Sequence, residues 1–567
     1  MKKLLLALMA FSLAIVACEE IENEVPQLMV DFTISANPVY AGEEVVFTAN
    51  VSGGVAPYTY EWSVGEDVKL SGETATWTPE INNTYKVVLK ATDSKGTAVE
   101  RTKNLVVEPA PVVATGEVKL LWTAKLAGYT SMSSPAIADD GSIYTVTRDS
   151  RKLYKISKDG TILWEKPILV NPQDGSQVLG TPSIDTDGTI YICGGTKNKD
   201  AVLVAFNPDG SEKWRFSNDK FWNKGNAPEA SINGVIAGIG DNNIYIGNTG
   251  GAGTVMAVSK ADGTRVNYMM DASGGGPAGG VRAGVVLTKN GYACWSGGAY
   301  GVFGASAAVL DTAGEGSPWA WRSCYSKDSG WPDGNNSATL AVVDIDGKPA
   351  VVGMQSIKAD GDTPAYTKVY AIDVATGEEL ANVKIDECAK QDQGGIAITE
   401  DGLAIATLKY NMGKDDGGIA LVNLSTKEMV SHYRIGENVT GAPAIDDKGN
   451  IHFATEKGNY YVVKANGANF ETLVKKDLAE LVGNDSRYQE AFACLLVQED
   501  GERISWAKVW SGIVIGDDGT ILIQFTDNED RTVGGLAALS LDYTEGPSKV
   551  SPWPMVGQNR KHTNRQK

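Results

Sequence analysis

Short runs of alternating apolar and polar positions mark the first ordered part of the chain. Residues 46–51, 59–63 and 85–90 alternate in this way and read as half-buried strands. Gly53-Gly54, Gly65-Glu66, Asn82-Asn83 and Ser94-Lys95-Gly96 punctuate them as turns. Seven or so such strands within residues 27–108 predict an Ig-like sandwich. From about residue 117 a longer pattern takes over. Ser134-Pro135-Ala136-Ile137-Ala138-Asp139-Asp140-Gly141 is echoed by Thr181-Pro182-Ser183-Ile184-Asp185-Thr186-Asp187-Gly188, and again by Ala442-Pro443-Ala444-Ile445-Asp446-Asp447-Lys448-Gly449. Weaker copies centre on Asn242, Gly291, Gly347, Gly402 and Gly519, which makes eight. Their centres lie between 47 residues apart (141 to 188) and 70 apart (449 to 519). Each copy holds four strand-sized runs, so the pattern predicts a β-propeller of eight blades. No run keeps a helical period over several turns, which excludes a helical solenoid. The fold class read from the pattern is therefore all-β, a sandwich followed by a propeller.

Composition sharpens this picture. The 567 residues are 42% hydrophobic and 21% charged, a globular balance that excludes wholesale disorder. The 64 glycines far outnumber the 21 prolines, as a chain with many tight strand turns requires. With 51 basic and 70 acidic residues the net charge is -19, which repels phosphate backbones and argues against a nucleic-acid partner.

The N-terminal segment reads as an address. Lys2 and Lys3 precede an apolar run from Leu4 to Val16, too short to span a bilayer as a permanent helix, and the run ends at Ala17-Cys18. This junction resembles the lipobox of bacterial lipoproteins, which implies cleavage after residue 17, lipidation of Cys18 and an anchor in the outer membrane. Residues 18–26 are rich in glutamate. They resemble the export signal that carries some lipoproteins to the cell exterior; a solvated acidic linker is the alternative.

Two further resemblances follow from motifs. Gly54-Val55-Ala56-Pro57-Tyr58-Thr59-Tyr60-Glu61-Trp62, with Tyr85-x-Val87-x-Leu89 and the turn Asp93-Ser94-Lys95-Gly96, resembles a PKD domain over 27–108. The resemblance implies a spacer or a contact module, with Trp62 in its core. Residues 109–116 follow as a linker. The repeats of 117–567 resemble the PQQ-type (quinoprotein-like) propeller family. Val369-Tyr370-Ala371-Ile372-Asp373 with Thr376-Gly377 is the nearest copy of its motif. Trp122, Trp164, Trp214 and Trp321 keep its terminal tryptophan, and the ending Trp553-Pro554-Met555-Val556-Gly557-Gln558-Asn559 with His562-Thr563 is similar to its closing tail.

Little in the chain suggests catalysis, and no catalytic residue is assigned. The Asp-x-Asp-Gly sites at 185–188 and 344–347 lack the full oxygen set of a calcium loop and read as hairpin turns, so no metal is assigned. The repeated tryptophans read as wedges between blades. Six cysteines include no adjacent pair and no C-x-x-C. With Cys18 lipidated, five remain, and a Cys294–Cys324 bridge is one option among them. Quinoprotein dehydrogenases of this family carry a vicinal disulfide, so no PQQ and no other cofactor is expected. His432, His452 and His562 lie far apart.

What remains is the set of loops joining one blade to the next on the top face. Phe221 and Trp222, Tyr325, Trp331 and Asn335, Gln391 and Gln393, and Arg487 and Tyr488 fall in them. Flat rings beside amides and a guanidinium suit glycan or peptide recognition. The reading is a non-enzymatic, surface-exposed lipoprotein that binds a glycan, peptide, small nutrient or outer-membrane protein. The alternatives are a periplasmic scaffold for outer-membrane-protein assembly, and a polysaccharide lyase or degenerate quinoprotein.

Overall fold

The computed structural model of the chain describes residues 26–65, 67–79, 83–108, 117–130, 133–169, 178, 180–193, 203–216, 237–247, 255–269, 281–297, 302–306, 319–324, 339–357, 366–385, 394–409, 417–467 and 469–566. The chain divides near residue 107 into two compact units.

The first unit is a sandwich of two antiparallel sheets. One sheet orders Met29–Ile34, Val45–Ser52 and Thr74–Trp77; the other orders Val39–Tyr40, Ala98–Glu108, Thr84–Thr92, Thr59–Val64 and Val68–Ser71. The alternation seen in sequence places Phe32, Phe47, Trp62, Val87, Leu89 and Leu105 inside, each at most 2% exposed. The Trp62 ring packs edge-on to Phe32 at 5.2 Å and stacks on Phe47 at 5.7 Å. Its Nε1 donates to the Gly72 carbonyl at 2.9 Å, so the buried polar atom is satisfied. Trp62 is thus a core residue.

The second unit is a succession of eight sheets of four or more strands in chain order among the described residues, with a two-stranded pair, Gln498–Glu499 and Glu502–Arg503, ahead of the eighth. The first orders Ala136–Ile137, Ile143–Thr147, Lys152–Ile156 and Ile162–Pro167, and six more repeat this four-stranded meander. In the eighth, Ala507–Lys508 and Val514–Ile515 both pair with Ile521–Asp527, which pairs with Val533–Leu541. Its outer strand is Val118–Ala127 from the start of the unit, with Trp122 opposite Ala538. The ring is therefore closed by strands from both ends of the unit, and neither end leaves a sheet incomplete.

Every repeat centre noted in sequence falls in the turn between the first and second strands of a sheet. At Asp185 the carboxylate accepts from Thr186 N at 2.7 Å and pairs with Lys260 at 2.7 Å, while Asp187 accepts from Thr189 N at 2.9 Å. These are turn bonds. The wide spacing from 449 to 519 holds an insertion with two short helices, Leu478–Gly483 and Gln489–Phe492. Asp477 caps the first by accepting from Glu480 N at 3.2 Å.

Adjacent sheets are keyed together by tryptophans. Trp122 donates from Nε1 to Lys158 O and Trp214 to Lys260 O, both at 2.8 Å. Their rings lie against Gly160 and Gly263, where an added Cβ would stand 2.6 Å and 2.5 Å from the indole. Trp164 meets Gly210 in the same way. The expectation of wedging tryptophans holds for these three; the side chain of Trp321 lies outside the described residues.

The Cys294–Cys324 option does not survive. Cys294 lies on Ala293–Gly297 and Cys324 on Trp319–Cys324, with Val302–Ser306 paired between them. Two strand spacings amount to about 9–10 Å, beyond the roughly 7 Å a disulfide tolerates. Cys294 is a free, buried thiol, as is Cys193.

Candidate functional site

Because strands alternate in direction, each sheet sends its first-to-second and third-to-fourth turns to one face. Its second-to-third turns and the connection to the next sheet go to the other face. In sequence, the predicted ligand residues fall between the last strand of one sheet and the first strand of the next. Phe221, Trp222, Tyr325, Trp331, Asn335, Gln391 and Gln393 lie outside the described residues, as does Cys18. Arg487 and Tyr488 are described. Arg487 donates from Nη1 to Leu121 O at 2.9 Å and from Nη2 to Leu120 O at 3.0 Å, and its Nη2 pairs with Asp485 at 2.7 Å. The ladder shifts register beside these two residues, which presents both carbonyls to the same guanidinium. Its carbon Cζ stands 5.0 Å from the Tyr488 ring. Asp485 holds the Arg487 pKa above its usual value. This pair pins the helical insertion onto the closing strand.

The same face carries a cluster that sequence reading did not assemble. Tyr129 comes from the connection into sheet 1 and Arg148 from the second-to-third turn of that sheet. Lys508 and Trp510 come from the entry to sheet 8, and Arg531 from its second-to-third turn. The Tyr129 and Trp510 rings meet edge-on at 5.1 Å. Arg148 and Arg531 sit 5.3 Å and 5.5 Å from the Tyr129 centroid, and the Lys508 ammonium sits 4.5 Å from that of Trp510. Tyr129 is 4% exposed, and burial pushes its phenol up to about 12, against the opposing pull of the two guanidiniums. The Trp510 Nε1 is buried and has no hydrogen-bond partner among the described residues.

Acidic groups flank the cluster: half-exposed Asp149 stands 3.9 Å from Arg148 Nε, and Glu456 also acts on Tyr129 but is engaged elsewhere. Glu456 accepts from Lys409 Nζ at 2.6 Å and from Thr440 Oγ1 at 2.5 Å, and its carbonyl accepts from Trp506 Nε1 at 2.9 Å. Glu437 accepts from Asn459 Nδ2 at 2.8 Å and from Thr455 Oγ1 at 2.5 Å. The result is a patch of rings and cations on a chain of net charge -19. Its members are separated by up to 402 positions in sequence (129 to 531) and meet only because sheet 8 closes on sheet 1. One signal was available: Trp510 sits just before an inner strand, the same repeat position as the segments singled out.

Comparison with known proteins agrees with this architecture. Residues 112–339 match the family model described as "Outer membrane protein assembly factor BamB", and residues 29–107 match that of the PKD domain. The chain carries a PKD domain and a PQQ-type propeller domain. The quinohemoprotein alcohol dehydrogenase from Comamonas testosteroni has a similar fold, with a TM-score of 0.54 at 13% identity, over 76% of this chain and 78% of that one. A europium-containing methanol dehydrogenase gives 0.52 at 12% identity, over 75% and 93%. A curated relative, "Uncharacterized protein YxaL" of Bacillus subtilis (strain 168), is 37% identical over 73 residues, which is 13% of this chain and 15% of that protein. Trp510 and Tyr488 are both half-buried.

Proposed function

We propose that the chain is a lipid-anchored protein of the bacterial outer membrane, facing the exterior, whose propeller binds a ligand without transforming it. Cys18 is the anchor, and the PKD domain acts as a spacer. The observation that carries the binding role is the cluster of Tyr129, Trp510, Arg148, Arg531 and Lys508. Rings offer apolar faces, the cations offer charge-assisted donors, and an unpartnered indole N–H awaits an acceptor. A glycan, a peptide or a small nutrient would meet these groups. We propose no quinone cofactor, because the chain lacks the adjacent cysteines that quinoprotein dehydrogenases of the resembled family carry.

Protease shaving of intact cells tests the orientation: the propeller is digested without permeabilising the outer membrane if it faces outward. Affinity electrophoresis against a panel of polysaccharides, paired with a peptide array, tests the binding role. Trp510→Ala is expected to weaken retention by about tenfold or more, as loss of a buried aromatic anchor does. Turnover of any polysaccharide by the purified protein would overturn the non-enzymatic reading.

A second reading is favoured by the family match over residues 112–339. In it the propeller is a periplasmic scaffold for assembly of outer-membrane proteins. Resistance to shaving, together with co-purification of an outer-membrane barrel, is the result that would select it.

A further inference from the structure

A second concavity lies on the opposite face of the propeller, where the first-to-second turns gather. Residues 553–566 run across the inner strands there. Ile398 N donates to Trp553 O at 2.9 Å, Ile445 N to Pro554 O at 2.8 Å, Ile137 N to Arg560 O at 2.7 Å, Ile184 N to Lys561 O at 2.8 Å, Ile239 N to Thr563 O at 2.9 Å and Leu287 N to Asn564 O at 2.8 Å. One strand of backbone is thereby tied to six sheets. Between this segment and sheets 2, 3 and 4 it leaves a cavity of about 550 Å³.

Ten of the twelve lining residues are polar or charged, the others being Ile239 and Gly240, and apolar atoms form about half of the exposed wall. Three cations line it, and each is matched by a carboxylate: Lys260 with Asp185 at 2.7 Å, Arg565 with Asp241 at 2.5 Å and Lys289 with Asp344 at 2.5 Å. Asp185 and Asp241 themselves line the cavity, whereas Asp344 pairs with Lys289 from outside the lining. Each ammonium and guanidinium keeps further N–H donors beyond its one partner, and each carboxylate keeps further lone pairs. Gln558 also lines the cavity. It is fully buried, its backbone is held at φ 74°, and its Nε2 has no hydrogen-bond partner among the described residues. A buried amide donor left unmatched costs stability unless a bound molecule supplies an acceptor.

We propose that this cavity is a second binding site, distinct from the aromatic and cationic cluster, and that its ligand is a neutral sugar of one or two residues. The volume falls in the range of small-molecule pockets. Each lining cation already has a carboxylate partner, so an ionic ligand would have to displace one of these pairs to find a counter-charge. Sugar hydroxyls both donate and accept, so each can bridge a carboxylate oxygen and an ammonium N–H, and one can accept from Gln558 Nε2. The lining includes no aromatic ring, so recognition there is by hydrogen bonds together with contact to the apolar atoms of the wall.

The test titrates the full chain with glucose, galactose and mannose, and separately with glucuronate and glucosamine, by saturation-transfer NMR and calorimetry. Saturable binding of at least one neutral hexose is expected, about tenfold tighter than either charged sugar. Gln558→Leu and Lys289→Ala are each expected to weaken it about tenfold or more. Lys289 sits half-exposed at the rim, so Lys289→Ala carries the test if Gln558→Leu fails to fold. Trp510→Ala, on the opposite face, is expected to leave hexose binding unchanged. Absence of hexose binding, preference for a charged sugar, unchanged affinity in Lys289→Ala, or loss in Trp510→Ala would each overturn the proposal.

Discussion

Gly263 shows how much one residue can carry in this fold. It adopts φ 69°, and a Cβ there would stand 2.5 Å from the Trp214 indole. Gly347 adopts φ 79° at an equivalent kind of turn, yet a Cβ there would meet nothing within 4 Å. Gly347→Ala is expected to cost only the backbone strain, about 1 kcal/mol. Gly263→Ala adds displacement of a packed ring, for a total of about 2–4 kcal/mol. Urea unfolding of the two variants checks the difference. His562 sets a second expectation at this scale. It is fully buried, and burial lowers its pKa to about 4. The unfolded chain takes up a proton there near pH 6.5, whereas the folded chain does not until about pH 4. Acid therefore favours the unfolded state, and stability falls across that window by roughly 3 kcal/mol. The thermal midpoint measured from pH 7 to pH 4 should decline less steeply in His562→Gln. Some slope will remain, because burial lowers His432 in the same direction, to about 3. Asp446 acts at lower pH. His452 and Asn450 hold its carboxyl below the usual range, so its contribution is present above that range and is lost as pH falls through the lowered value.

Among the elements, the insertion at 478–506 depends on tertiary anchors. Its helices are six and four residues long, too short to persist alone. Leu478, Ala479, Val482, Phe492 and Leu495 bury against the core shared with sheet 8, and Arg487 bonds the closing strand. Arg487→Ala is expected to lower global stability by no more than about 1 kcal/mol, since the pair is half-exposed. Amide exchange across 484–497 should nonetheless rise several-fold. Much of this level was legible in sequence. The alternating runs at 46–51, 59–63 and 85–90 fall within Val45–Ser52, Thr59–Val64 and Thr84–Thr92. The repeated Asp-Gly pairs mark hairpin turns, first-to-second at Gly141 and Gly188 and third-to-fourth at Gly160, Gly210 and Gly263, and in each the glycine supplies the positive φ that the turn needs. The insertion was legible only as extra spacing, because a four-residue helix leaves no periodic signal.

For the molecule as a whole, closure decides stability. The outer strand of sheet 8 comes from Val118–Ala127, and residues 553–566 tie six inner strands together on the opposite side from the cluster. Trp553, Met555 and Val556 are each at most 2% exposed. A chain ending at residue 552 loses these three, worth about 1.5–3 kcal/mol apiece. It should unfold at a markedly lower temperature, with the loss registered by calorimetry on the propeller and not on the PKD domain.

The sequence alone determined the repeat, the strand turns, the all-β class and the kinship with PKD and PQQ-type propeller domains. These are local properties: hydrophobic period, turn chemistry and motif spacing are written within tens of residues. The tertiary structure alone decided which cations stand over Tyr129 and Trp510, that Cys294 cannot reach Cys324, and that Gln558 is buried unmatched beside a polar cavity. Each of these depends on which strands lie side by side after the ring closes. That closure joins residues hundreds of positions apart, through backbone hydrogen bonds any sequence can make, so no local pattern encodes it.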